Sequence, residues 1–294
     1  MHGYRLTKKG KIFLTMLIIL LLACTLSLRK IAIASDKPLY ATYNAAYFSD
    51  SYFNQEPYKP DVYQLAVDFN AEISKSNNVD SEDTEDILSI RVEDIKTYNK
   101  GKVVFLTFDD GPSEKVTPAI LDVLGEYKIK ATFFVLGCMC TKNPDVLRDI
   151  YSRGHSIGNH SYTHNFKELY KNEENFLSEL KATENVIKQI LGDEYSTRLF
   201  RFPGGSFESY KRCYMDVLNE EGYVSVDWNA VTGDAEVVSP TFEKILERMK
   251  ATVKDKSNVI LLMHDSATKQ VTAEALPYII EFLKSEGFEF AIIK

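Results

Sequence analysis

From residue 101 onward, the chain alternates short apolar runs with stretches in which apolar residues recur every three or four positions. Val103, Val104, Phe105, Leu106 and Phe108 form a β-branched and aromatic run, which predicts a buried strand over 103–108. Ile120, Leu121 and Leu124 recur at helical spacing and predict a helix over 118–127. The same reading predicts strands over 131–136, 156–158, 198–202, 223–226, 259–263 and 288–293. It predicts helices over 146–151, 175–191, 210–221, 240–253 and 273–285. Repeated strand–helix alternation implies an α/β fold with a mostly parallel sheet covered by helices. About seven strands in the last 194 residues suit a closed or nearly closed barrel better than an open sheet. In such a barrel the reactive groups should lie where strands end.

The first hundred residues have a different texture. Arg5, Lys8, Lys9 and Lys11 precede a run of 17 uncharged residues, 12–28, which ends at Arg29 and Lys30. A basic tip followed by an apolar run predicts an export signal or a membrane anchor. At about 1.5 Å per helical residue the run nears the span of a bilayer core. The primary expectation for residues 1–34 is an uncleaved, single-pass signal anchor that places the rest of the chain outside the cytoplasm. The alternatives are cleavage after Ala34 and lipidation of Cys24. Residues 35–100 are expected to form a stalk or arm. Eight aromatics lie between Tyr40 and Tyr63 without a clean period, then Asp80, Glu82, Asp83, Glu85 and Asp86 make an acidic stretch. A short helix or strand is expected around 87–95. The third segment, 101–294, carries the chemistry.

Composition narrows the function classes. The formal net charge of −7 argues against nucleic acid as a partner. Four cysteines in 294 residues exclude a disulfide-dense scaffold. No phosphate-cradling glycine loop and no Gly-x-Ser-x-Gly elbow is present, so nucleotide-dependent and serine-hydrolase mechanisms lack support. Cys138-Met139-Cys140 lacks partner ligands and is expected in an exposed loop, and His155 is expected to be structural.

Five polar constellations stand at predicted strand ends. His160 and His164 are four apart, a spacing that would set both imidazoles on one face of a helical turn and let them chelate one metal ion. Asp109-Asp110-Gly111-Pro112 follows the first strand, and a carboxylate there would complete a His₂Asp set. Arg201-Phe202-Pro203-Gly204-Gly205, Asp227-Trp228 and His264-Asp265 follow three further strands.

In order, these segments resemble the signatures of the polysaccharide deacetylases with a NodB-homology domain, carbohydrate esterase family 4. Thr107–Pro112 is similar to Thr-Phe-Asp-Asp-Gly-Pro, and His160–His164 to His-Ser/Thr-x-x-His. Arg201–Gly205 is similar to Arg-x-Pro-x-Gly, Ser225–Trp228 to Asp-x-x-Asp-Trp with Ser225 departing where that signature often begins with Asp, and Leu262–His264 to Leu-x-His. The resemblance implies a distorted (β/α) barrel of about seven strands over 101–294. It implies a divalent metal on Asp110, His160 and His164, with zinc as the default and cobalt or nickel compatible with the ligands. Such a metal would polarise the acetyl carbonyl and acidify a water. The resemblance further implies Asp109 as general base, Arg201 as its holder and the Gly204 N–H as oxyanion donor. His264 would be the general acid, oriented by Asp227, with Trp228 and Leu262 lining the acetyl methyl pocket.

An exported enzyme with this machinery would act on cell-wall polysaccharide. The expected reaction is removal of N-acetyl groups from N-acetylglucosamine of peptidoglycan. N-acetylmuramic acid, chitin oligomers, poly-N-acetylglucosamine and acetyl-xylan are alternative substrates. The rival from another class is a non-catalytic glycan-binding wall protein. Such a protein should have lost a ligand, the base or the acid, whereas Asp109, Asp110, His160, His164, Arg201, Asp227 and His264 are all present.

Overall fold

A computed structural model describes residues 88–294 of the chain. The expected anchor and the Tyr-rich and acidic parts of the expected stalk lie outside the described residues. Among the described residues, no helix is long and apolar enough to cross a membrane.

The described residues begin with β1 (Ser89–Ile90) and α1 (Val92–Ile95), then enter β2 (Lys102–Asp109) and α2 (Val116–Glu126). Next come β3 (Thr132–Val135), α3 (Gly137–Lys142), α4 (Pro144–Ser152), β4 (Ser156–Asn159), α5 (Phe166–Leu169) and the long α6 (Glu173–Leu191). β5 (Leu199–Phe200), a 3₁₀ turn (Ser209–Lys211), α7 (Arg212–Glu220), β6 (Val224–Ser225) and β7 (Ala230–Val231) follow. The chain ends with α8 (Phe242–Val253), β8 (Asn258–His264), α9 (Gln270–Ser285), β9 (Phe288–Phe290) and β10 (Ile292–Ile293).

Seven strands lie side by side in the order β6-β5-β4-β3-β2-β8-β7, every pairing parallel, and β9 adds to the first half of β2. The two end strands, β6 and β7, do not pair with each other. This is the distorted, incompletely closed barrel expected from the sequence. The strand β7 is missing from the sequence reading because two residues carry no periodicity.

The alternation of side chains along β2 explains its uninterrupted apolar run. Val104, Leu106 and Phe108 face the helices, packing with Ile120, Leu121, Leu276 and Ile280. Val103 and Phe105 face the barrel interior, packing with Phe134, Leu199, Val226 and Ile293. Both faces are buried, as in other parallel sheets with helical cover. Successive side chains point to opposite faces, so Thr107 and Asp109 continue the inward row. The interior is therefore apolar at its N-terminal end and polar at its C-terminal end.

Three expectations need correction. The expected strand over 288–293 is two strands with different partners: β9 pairs with β2, while β10 pairs with β1. The boundary expected near residue 101 falls earlier. Ile90 and Ile95 are buried in the interior cluster with Val103, Phe105 and Ile293, so β1 and α1 belong to the barrel. Two-residue and four-residue elements are too short to show an amphipathic period. Cys138-Met139-Cys140 is helical rather than an exposed loop, with Cys140 fully buried, because a free cysteine packs as a small hydrophobe.

The membership of α1 in the core makes a stability prediction. Ile95→Ala should cost about 2–4 kcal/mol, read as a lower urea midpoint for the tryptophan fluorescence transition. An unchanged midpoint would place residues 88–100 outside the cooperative unit.

Candidate active site

Parallel register carries the reactive residues to one end of the sheet. Asp109 lies beside His264 on β8 and beside Phe134 on β3, Val135 beside Asn159, and Asn159 beside Phe200. The residues that follow β2, β4, β5 and β8 therefore emerge around one mouth.

Arg201 is fully buried just past β5. Its Nη1 donates to Asp109 Oδ1 and to Thr107 Oγ1, both at 2.8 Å, and its Nε donates to the Val226 carbonyl at 2.9 Å. The guanidinium also lies 4.1 Å from the Phe134 ring centroid. Asp109 is equally buried. Burial raises its carboxyl pKa above the ordinary carboxylate value, while the charges of Arg201 and then His264 pull against that shift. A carboxylate with a raised pKa and one fixed orientation suits a general base.

His160 and His164 do not share a helical turn, contrary to expectation. They occupy a bent loop in which Ser161 has φ 72° and His164 φ 58°. The four-residue spacing succeeds for a different reason, because the loop folds back onto itself. Glu179 on α6 accepts from the N–H groups of Tyr162 and Thr163 at 2.8 and 2.7 Å, and from the Thr163 hydroxyl at 2.9 Å. Asn159 Oδ1 accepts from the Ser161 N–H at 2.9 Å, and Ser161 Oγ accepts from the His164 N–H at 3.1 Å. Nothing in the linear pattern marks Glu179, 15 residues beyond His164.

The loop brings His160 Nε2 and His164 Nε2 to 3.5 and 3.4 Å from Asp110 Oδ1. One donor atom from each of the three residues falls within 4.8 Å of the others. His160 Nδ1 lies 2.8 Å from the Arg201 carbonyl, which can only accept, so the proton sits on Nδ1 and the lone pair on Nε2. Burial, above all, drives the His160 pKa down to about 3, so the ring is neutral. One donor atom from each of the three residues thus faces a common point, and the buried Asp110 Oδ1 there has no hydrogen-bond partner, as a cation site requires. Two imidazole nitrogens and a carboxylate oxygen are the donor set of zinc and of neighbouring divalent transition metals.

The turn that carries Asp110 is backed by Asp265. Gly111 leaves room for the Asp265 carboxyl, which a Cβ at that position would meet at 2.1 Å. The Thr117 hydroxyl donates to Asp265 Oδ2 at 2.6 Å, and the Asp265 N–H donates to the Asp109 carbonyl at 3.0 Å. Burial pushes the Asp265 carboxyl up to about 7.

Asp227 is not the partner of His264. Asp227 accepts from the Ser206 N–H at 3.0 Å and from the Ser206 hydroxyl, so it braces the turn after β5. The residue on His264 is Asp234, just past β7: its Oδ1 lies 2.9 Å from His264 Nδ1, and its Oδ2 accepts the His264 N–H at 2.8 Å. The Thr272 hydroxyl donates to Asp234 Oδ2 at 2.8 Å, and Lys269 Nζ donates to the Asp234 carbonyl at 2.8 Å. Asp-x-x-Asp-Trp therefore fits Val231-Thr232-Gly233-Asp234-Ala235, with only its second acid retained. The single tryptophan of the chain, following an unrelated Asp227, drew the alignment to the wrong strand end. Burial alone would lower the His264 pKa, but the hydrogen bond and charge of Asp234 outweigh it and lift the imidazole to about 9.

Trp228 packs edge-on against Phe207, with ring centroids 5.4 Å apart, and lies 5.7 Å from the Arg201 guanidinium. Leu262 is on the inward face of β8, two residues before His264. Gly204 sits at φ 75° in the exposed turn after β5. His155 lies apart, buried and neutral, accepting the Ala131 N–H at 3.1 Å and packing edge-on against Phe133.

A cation cradle flanked by an arginine-held carboxylate and an aspartate-held imidazole, at the C-terminal mouth of a parallel barrel, defines a hydrolase-type site. Comparison with known proteins agrees. The family described as polysaccharide deacetylase matches residues 96–226. A Bacillus cereus peptidoglycan-N-acetylglucosamine deacetylase is 34% identical over 192 residues, covering 64% of this chain and 68% of that protein. A Streptococcus mutans carbohydrate esterase of family 4 superposes with a TM-score of 0.65 at 35% identity, covering 70% of this chain and 92% of that one. The catalytic domain of a Eubacterium rectale peptidoglycan N-acetylglucosamine deacetylase gives a TM-score of 0.61 at 29% identity, covering 67% and 91%. The chain belongs to the polysaccharide deacetylase family.

The two aspartates make separable predictions. Asp234→Asn should lower the His264 pKa from about 9, whereas Asp227→Asn should leave it in place, both read by imidazole NMR titration. The His264 pKa in the fold exceeds the unfolded value of about 6.5. Its contribution to stability is therefore complete below about pH 6.5 and is lost as pH rises through about 9. In Asp234→Asn that dependence should flatten.

Proposed function

We propose that the protein is a metal-dependent hydrolase that removes N-acetyl groups from N-acetylglucosamine in peptidoglycan, releasing acetate and leaving glucosamine. The observation that carries the chemistry is the convergence of donor atoms from His160, His164 and Asp110, within 4.8 Å of one another, at the mouth that also holds Asp109 and His264. The relatives named above support the choice of polymer. The uncharged run at residues 12–28 behind a basic tip supports placing the domain outside the cytoplasm, where that polymer lies.

Asp110, His160 and His164 would hold the divalent cation, zinc by default. When bound, the cation supplies polarisation of the acetyl carbonyl and a lowered pKa for the attacking water. The protein does the rest. Asp109, fixed by Arg201, takes a proton from the attacking water. The Gly204 N–H donates to the carbonyl oxygen as it becomes negative, a contribution of about 3 kcal/mol for donors of this kind. An amide cannot expel an unprotonated amine readily, so His264 passes its Nε2 proton to the nitrogen as the C–N bond breaks. Asp234 occupies Nδ1 and keeps the ring charged until that step. Trp228 and Leu262 border the space for the acetyl methyl group.

The test is acetate release from purified peptidoglycan by the chelator-treated protein, before and after zinc or cobalt is restored. Release should require metal and fall at least about 100-fold in Asp109→Asn. Release from chitin oligomers but not from peptidoglycan would keep the chemistry and change the polymer. Metal-independent release, or no metal binding, would overturn the proposal.

A further inference from the structure

Lys211, at the end of the 3₁₀ turn before α7, is only 1% exposed, and no sequence signal marks it. A lysine at the start of a helix opposes the helix dipole, and a buried ammonium needs its three donors satisfied. Here all three are. Lys211 Nζ donates to the Pro203 carbonyl at 3.0 Å, to the Gly205 carbonyl, and to Glu208 Oε2 at 3.1 Å. The Tyr170 ring lies 4.7 Å from Nζ, and the Tyr170 hydroxyl donates to the same Pro203 carbonyl at 2.8 Å.

Two of those acceptors flank Gly204. The turn is otherwise tied by Gly205 N–H to the Phe202 carbonyl at 2.7 Å and by Ser206 to Asp227. Gly204 and Gly205 both take left-handed backbone conformations, φ 75° and 77°, where side-chain-bearing residues are strained. Two consecutive glycines give the turn freedom that something else must remove. Over residues 203–206 the clamps engage every backbone N–H except that of Gly204, for which the described residues supply no acceptor.

We propose that Lys211 is a positioning residue for the reaction. Its buried ammonium locks the Pro203 and Gly205 carbonyls so that the Gly204 N–H is held toward the developing oxyanion, and it places a positive charge behind that donor. The proposal rests on the function given above. It requires that the lock act mainly in the transition state, where an N–H placed in advance is worth most.

The test compares full-length wild type with Lys211→Met, Lys211→Arg and Tyr170→Phe, each loaded with zinc. Hydrogen exchange of the peptide spanning 201–207, kcat, KM and Tm are read for each. In folded Lys211→Met, exchange over 201–207 should quicken and kcat should fall about 10- to 100-fold with KM within about twofold. Lys211→Arg, which keeps the charge, should recover part of the loss. Wild-type exchange and kcat in folded Lys211→Met would overturn the proposal, as would a rise in KM alone. If Lys211→Met does not fold, Tyr170→Phe removes one donor from the same carbonyl. A several-fold fall in kcat with faster exchange then supports the lock, and wild-type behaviour in both refutes it. Wild type that releases no acetate would sink the functional reading, and the exchange rates alone would then decide the lock.

Discussion

A guanidinium with no solvent to stabilise it must be neutralised where it stands, and the fully buried Arg201 is met on several sides. Its Nη1 reaches Thr107 and Asp109 on β2, its Nε reaches the Val226 carbonyl past β6, and its own carbonyl meets the His160 ring. One residue thereby ties β2, in the middle of the sheet, to the chain just past β6, orients the base through its guanidinium and sets the tautomer of a cation ligand through its carbonyl. Removing one partner of such a pair strands a buried charge, at a cost of about 3–5 kcal/mol. The geometry of the mouth is built outward from this contact.

Around it the site is assembled from short polar braces, each of which has an apolar scaffold behind it. Glu179 shapes the histidine loop from α6, Asp265 backs Gly111, and Asp234 holds His264 while accepting from Thr272 on α9 and from Lys269 just before that helix. These braces do the work that metal ligands and catalytic groups cannot do for themselves, since a ligand set left to flexible loops would collapse or splay. The inward row of β2 runs from Val103 to Asp109, so the same strand supplies the apolar floor and the reactive rim.

Much of this was legible in the linear chain. Long elements declare themselves because burial marks many residues at once, as a helical period along α6 and α9 and as an unbroken apolar run along β2. Asp109, Asp110, His160, His164, Arg201 and His264, which the structure brings to one mouth, were also visible, because each stands at or beyond a strand end and chemistry restricts which residue types can serve there. Asp234 was not, since β7 is two residues long and the tryptophan after Asp227 imitated the expected pattern. Glu179 and Lys211 were invisible because an acid or a lysine on a helix is ordinarily a solvated residue, and only packing reveals that these two are not.

What the amino-acid sequence determined by itself is the longer elements, the parallel barrel class and the identity of most groups at its mouth. Those follow from local periodicity and from residue chemistry, which neighbours along the chain already specify. Only the tertiary structure decided which acid faces His264, how the two histidines converge without a helix, and which buried groups hold the Gly204 turn. Those depend on contacts between residues that fall in no common periodic element, 30 apart for Asp234 with His264, 16 for Glu179 with Thr163 and 8 for Lys211 with Pro203. No local signal encodes them, because the distance between the partners exists only after the sheet has formed.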